Sequence, residues 1–160
     1  MPREIKSYAE AVRLAMNSEK EAMTFYQSAA GNTDDERGRK MFLELVAFEK
    51  DHFERLAGLL KSAKDGPAGG PVAMDAGPDV QSGCVPDATK GLKGDIDAVS
   101  TAIGAEKTAR ADYLALAESA KDKSVKDFFK KIADEEDGHR RILEDQFLTL
   151  TNSGRWTWAE

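Results

Sequence analysis

The sequence predicts an all-α fold, a four-helix bundle made of two antiparallel helical hairpins. Three observations carry this. Adding 87 to a residue number in the first half gives an ungapped counterpart in the second: Val12 and Val99, Ala15 and Ala102, Glu19 and Glu106, Lys20 and Lys107, Ala22 and Ala109, Tyr26 and Tyr113, Ala30 and Ala117, Asp35 and Asp122, Phe42 and Phe129, Glu49 and Glu136, His52 and His139, Leu56 and Leu143. Such self-similarity marks an internal duplication, and two copies are too few for a solenoid. Each half carries two apolar stripes at helical spacing, and a turn-forming segment lies midway between them.

The elements follow in order. Val12, Ala15/Met16, Glu19, Ala22/Met23, Tyr26 and Ala30 line one face of a first helix, recurring at i, i+3/i+4, i+7. Ser7-x-x-Glu10 reads as its capping box. The stretch Gly31-Asn32-Thr33-Asp34-Asp35 is the turn, and Thr33-x-x-Glu36 reads as the capping box of a second helix lined by Phe42, Leu45, Glu49, His52, Leu56 and Leu59/Leu60. Together these make hairpin one, about residues 7–63. Residues 64–91 are rich in Gly and Pro, break the helical period and form a crossover. Val99, Ala102/Ile103, Glu106, Ala109, Tyr113 and Leu116/Ala117 line a third helix. A turn over 119–124 follows, with Ser124 as N-cap and Asp127 three residues on. Phe129, Ile132, Glu136, His139, Leu143 and Phe147 line the fourth helix, closing hairpin two at about residues 92–150. A tail over 151–160 carries Trp156 and Trp158, and the expectation is one domain over 1–160.

The stripes carry an unusual set of residues. Glu49-x-x-His52 and Glu136-x-x-His139 contain both histidines of the chain, and each lies 30 residues after another stripe glutamate, Glu19 or Glu106. The midpoints of these spacings, Asp34 and Lys121, fall in the two turns. Residues equidistant from the turn of an antiparallel hairpin lie side by side. Each lone glutamate is therefore level with its Glu-x-x-His, about 20 Å from the turn at ~1.5 Å per residue. The i, i+3 spacing puts glutamate and histidine on one face. Leu45 and Leu56 bracket one quartet, and Ile132 and Leu143 the other, so four carboxylates point into the core with no stripe Lys or Arg to neutralise them. Unpaired buried charge is very costly. Two divalent cations would balance four carboxylates and use the imidazoles as neutral ligands. Imidazole and carboxylate without thiolate suit iron, with manganese and zinc also compatible. Four Glu and two His from four helices is the dinuclear arrangement of carboxylate bundles.

With these motifs the chain resembles the ferritin-like superfamily, and most closely the rubrerythrins, over about residues 5–62 and 92–150. The resemblance rests on Ala15-x3-Glu19-x2-Ala22-x3-Tyr26, Glu49-x2-His52, Ala102-x3-Glu106-x2-Ala109-x3-Tyr113 and Glu136-x2-His139. It implies a di-iron centre with Glu19, Glu49, His52, Glu106, Glu136 and His139 as ligands. Glu49 and Glu136 are then the bridges, Glu19 and Glu106 are terminal, and Tyr26 and Tyr113 hydrogen-bond the ligands. It also implies that helices two and three run parallel, which explains a crossover along the bundle's length, with some of it slack. Two departures stand out. Rubrerythrins usually carry a rubredoxin-like tail with paired Cys-x-x-Cys motifs, and this chain has the single cysteine Cys84. They also tend to have a second glutamate one turn after the third-helix ligand, where Ala109 stands here.

The expected function is redox chemistry of ferrous iron with hydrogen peroxide or dioxygen, as in defence against oxidative stress. A ferroxidase serving iron storage or delivery is the alternative, and a non-catalytic bundle stapled by metal is a third. Without a rubredoxin module, electrons come from a separate donor protein or from free ferrous iron. Net charge is −6 with scattered basic residues, which argues against nucleic acid. The first six residues lack the apolar run of a signal peptide, and no segment reads as membrane-spanning, so the expectation is cytoplasmic. Cys84 reads as incidental, and the tryptophans as packing on the bundle or on the partner of a homodimer.

Overall fold

The computed structural model describes residues 3–5, 8–62, 72–74 and 91–159. Four long helices carry the fold: α1 (Tyr8–Asn32), α2 (Glu36–Ser62), α3 (Leu92–Ser119) and α4 (Lys123–Ser153). The predicted all-α bundle of two hairpins is what forms. Helix α1 packs along α2, and α3 along α4, because each stripe buries itself on its neighbour across a short turn.

Two buried clusters divide the core. One joins the start of α1 (Tyr8, Val12, Ala15) and Leu56 near the end of α2 to the end of α3 (Tyr113, Leu116) and the start of α4 (Val125, Phe129, Ile132). The other joins Tyr26 and Ala30 at the end of α1 and Phe42 and Leu45 at the start of α2 to Val99 and Ala102 in α3, Leu143 and Leu150 in α4, and Trp156. These memberships place the start of α3 at the same end as the start of α2. The two helices are parallel, as the resemblance implied. Between the clusters lies the Glu/His layer.

Three details correct the sequence reading. Helix α2 is capped by Asp35, whose Oδ1 accepts from the Arg37 N–H at 2.8 Å, while Thr33 Oγ1 accepts only from Asp35 N–H at 3.3 Å. Helix α4 is capped by Asp122, which accepts from the N–H groups of Ser124 and Val125, so Ser124 lies inside the first turn. Asp35 and Asp122 are counterparts at the 87-residue offset, so the duplication carries its caps with it. Helix α4 also runs to Ser153, past the expected end near residue 150, and stops where Gly154 enters the left-handed region (φ 71°) and returns its N–H to Leu150 O.

A short antiparallel ribbon adds to the bundle. Strand β1 (Arg3–Ile5) pairs with β2 (Val72–Met74), Glu4 facing Ala73. Three-residue strands are too short to show a period, which is why the crossover sequence gave no sign of one. The Ser7 cap and Cys84 lie outside the described residues.

Candidate metal centre

All six stripe residues meet in one buried layer between the two apolar clusters. Glu19 comes from α1, Glu49 and His52 from α2, Glu106 from α3, and Glu136 and His139 from α4. The hairpin geometry makes glutamate and quartet level, and closing one hairpin on the other stacks the His52 and His139 rings at 5.5 Å. Both histidines turn Nδ1 inward. From His52 Nδ1, Glu136 Oε1 is 3.1 Å away, Glu49 Oε2 3.2 Å and Glu19 Oε1 3.7 Å. From His139 Nδ1, Glu136 Oε2 is 3.2 Å away, Glu49 Oε1 3.4 Å and Glu106 Oε2 3.6 Å. The oxygens of Glu49 and Glu136 thus divide, one towards each histidine.

Two overlapping donor groups result. Glu19, Glu49, His52 and Glu136 offer one ligand atom each within 4.8 Å of one another, and so do Glu49, Glu106, Glu136 and His139. Glu49 and Glu136 belong to both.

Burial and mutual repulsion set the protonation of the layer. Burial, then the charges of Glu49 and Glu136, hold the Glu19 carboxyl well above the usual range. The same forces raise Glu106. Burial also pushes Glu49 up, but its hydrogen bonds with His139, His52 and Glu19 win and hold it below the usual range. Glu136 is lowered too: burial and the Glu49 charge are outweighed by Glu106, His139 and His52 beside it. Burial disfavours charged imidazole, yet the surrounding glutamates prevail. They push His139 up to about 12 and His52 higher still. Two carboxylates therefore face two imidazoliums, the pairing that lets protein groups alone tolerate such burial.

The predicted tyrosines are there, and they act crosswise. Tyr26 of hairpin one donates its hydroxyl to Glu106 Oε1 of hairpin two, and Tyr113 donates to Glu19 Oε1. Burial, followed by the charge of its partner glutamate, raises each phenol well above its ordinary range, so both remain donors.

Other contacts could not be read from the sequence. The outer nitrogen of His52, Nε2, sits 3.2 Å from Glu135 Oε2, and Arg55 Nη1 donates to that same oxygen at 2.7 Å. Beside His139 stands the Phe48 ring, 5.0 Å from the imidazole. Phe48 and Glu135 are repeat counterparts, as are Arg55 and Ile142. The available signal was a break in the repeat one residue before each quartet. Trp156 is buried to 1 % exposure and donates Nε1–H to Asp95 Oδ2 at 3.0 Å, while Trp158 Nε1–H reaches Glu44. The tail therefore packs on its own bundle.

Comparison with known proteins agrees with this geometry. The family model for rubrerythrin matches residues 97–154. A hypothetical protein from Pyrococcus furiosus superposes with a TM-score of 0.77 at 27 % identity, covering 91 % of each chain. A protein from Thermotoga maritima, provisionally named a ferritin-like diiron-carboxylate protein, superposes with a TM-score of 0.68 at 23 % identity, covering 92 % of this chain and 95 % of that one. The chain has a ferritin-like fold, and its second hairpin is similar to rubrerythrin. No curated protein matches. The family match falls on hairpin two, and the repeat carries the same Glu and Glu-x-x-His pattern back into hairpin one. Among its described residues the chain has no helix long and apolar enough to cross a membrane.

Proposed function

We propose that this is a di-iron carboxylate protein that performs redox chemistry between ferrous iron and hydrogen peroxide or dioxygen. The observation that carries the reading is the sharing of Glu49 and Glu136 between two four-residue donor groups. Carboxylates shared in that way would hold two cations side by side. Glu136 Oε1 supports the fit: it is buried, has no well-aligned hydrogen bond among the described residues, and lies 3.1 Å from His52 Nδ1, the charge that a bound cation would replace. An oxygen so placed is satisfied by a cation. Oxygen and imidazole donors without sulfur suit iron, and they also suit manganese and zinc.

Glu19, Glu49, His52 and Glu136 would hold one iron and Glu49, Glu106, Glu136 and His139 the other. When bound there, two ferrous ions would supply the two electrons that, with two protons, convert hydrogen peroxide to two waters. The chain's own residues do the rest. Tyr26 and Tyr113 fix the terminal glutamates Glu106 and Glu19 from the opposite hairpin, and the apolar clusters on either side shield the layer from water.

Ala109 favours a second reading. It puts a methyl group where many rubrerythrins have a carboxylate, which fits a ferroxidase that oxidises iron for storage or delivery. In either case we propose that a separate electron-donor protein or free ferrous iron reduces the site.

Stopped-flow mixing of the anaerobic, ferrous-loaded full chain with peroxide and, separately, with oxygen tests this. Faster reaction with peroxide supports the scavenging enzyme, and faster reaction with oxygen supports the ferroxidase. A loaded protein inert to both would leave a metal-stapled bundle and overturn the redox reading.

A further inference from the structure

We infer that the two metal positions are inequivalent, because Glu135, anchored by Arg55, is a positioning residue for His52 and has no counterpart for His139. The inference rests on the di-iron reading above and deepens it. Each histidine turns Nδ1 to the shared glutamates, which makes Nε2 the outer nitrogen and the one that carries the proton when Nδ1 binds a cation. At His52 that N–H faces Glu135 Oε2 at 3.2 Å. Arg55 Nη1 donates to the same oxygen at 2.7 Å and to Asp51 Oδ2 at 3.1 Å, so the carboxylate is pinned from the far side. A histidine whose outer N–H is held by a carboxylate is fixed in tautomer and ring orientation and is a more basic ligand. Loss of such a partner typically lowers metal affinity 10–100-fold.

The repeat supplies the internal control. Glu135 maps onto Phe48 and Arg55 onto Ile142, so the mirrored place beside His139 is apolar. The Phe48 ring lies against His139, centroids 5.0 Å apart and planes tilted by 34°, and is 47 % exposed. Among the described residues, every ion pair of His139 runs through Nδ1. The sequence thus keeps all six ligands symmetric and breaks symmetry at the next layer. The His52 position binds first and holds its ion. The His139 position, ringed by Phe48, is the one that exchanges.

The test is crystallography of the full chain with one equivalent of Co²⁺, reading anomalous scattering at each position. Wild type is expected to show cobalt at the His52 position with about tenfold or greater preference, in line with the effect of a carboxylate partner. Glu135→Gln keeps the shape, removes the charge and is expected to level the two peaks. Phe48→Glu, at an exposed position, is expected to raise the His139 peak. Equal peaks in wild type, or an unchanged preference in a folded Glu135→Gln, would overturn the inference while leaving metal binding intact. Cobalt at neither position would overturn the metal-binding reading, and this inference with it.

Discussion

At one end of the bundle Tyr113 stacks on Phe129, which meets Tyr8 edge-on; at the other Tyr26 stacks on Phe42, which meets Trp156 edge-on. The inner two rings of each column are repeat counterparts. The outer rings are not. Tyr8 belongs to α1, and its own counterpart in α3 is Asp95, which accepts the Trp156 N–H. Gly38 faces Trp156, where hairpin two has Val125, and a Cβ on Gly38 would come within 2.6 Å of the indole. Hairpin two thus lacks a Tyr8 of its own, and a tail ring fills the place, accommodated by one glycine and one aspartate. The difference teaches where the duplication is constrained. Tyr26 and Tyr113 each hold a glutamate of the other hairpin, so a change in either half alters the shared layer. The ends answer only to packing and have diverged.

The largest effect expected from breaking this comparison is at the tail. Trp156→Ala should destabilise the protein by about 3–5 kcal/mol, the usual cost of emptying a buried tryptophan site, read by denaturant unfolding. Next comes a property both hairpins share. Each contributes an imidazole held protonated above neutrality by its glutamates, and Nδ1 must lose that proton to bind a cation. Affinity therefore rises with pH and falls as pH drops. Below neutrality the overall constant for two ions should fall by at least about a hundredfold per pH unit, one proton for each histidine. Buffer-dependent calorimetry checks the proton release.

Gly38→Ala should cost about 1–3 kcal/mol through overpacking. Combined with Trp156→Ala, it should cost far less than the sum, because the clash is with that ring. Tyr26→Phe and Tyr113→Phe should each lose about 1–3 kcal/mol, the cost of leaving a buried carboxyl oxygen without its donor, and should match each other if the layer is symmetric. Tyr8→Phe is the smallest. The Tyr8 hydroxyl is buried without a hydrogen-bond partner among the described residues, so its removal should be neutral or stabilising by less than about 1 kcal/mol.

How far the sequence reached follows the same division. The stripes, the turns and the shared level of the six Glu and His residues were legible because helical period and hairpin symmetry are local rules applied twice. The caps were misread by a residue or two because Thr33-Asp34-Asp35 and Asp122-Lys123-Ser124 each offer several capping side chains. The chain uses the aspartate that reaches N–H groups ahead of it. Glu135 with His52, 83 residues apart, and Trp156 with Asp95, 61 apart, depend on how the hairpins close on each other. No local spacing encodes that. The crosswise tyrosines fall between: their faces were legible, and their choice of the opposite hairpin was not.

The central claim is that Glu49 and Glu136 serve both metal positions while Glu19 and Glu106 serve one each. Elemental analysis after anaerobic loading with ferrous iron tests it directly. Wild type should retain about two ions per chain, as dinuclear carboxylate bundles do. Glu19→Ala and Glu106→Ala should retain about one, and Glu49→Ala and Glu136→Ala close to none. A folded Glu49→Ala protein that still binds as much iron as wild type, or a wild type that retains no metal, would contradict the account.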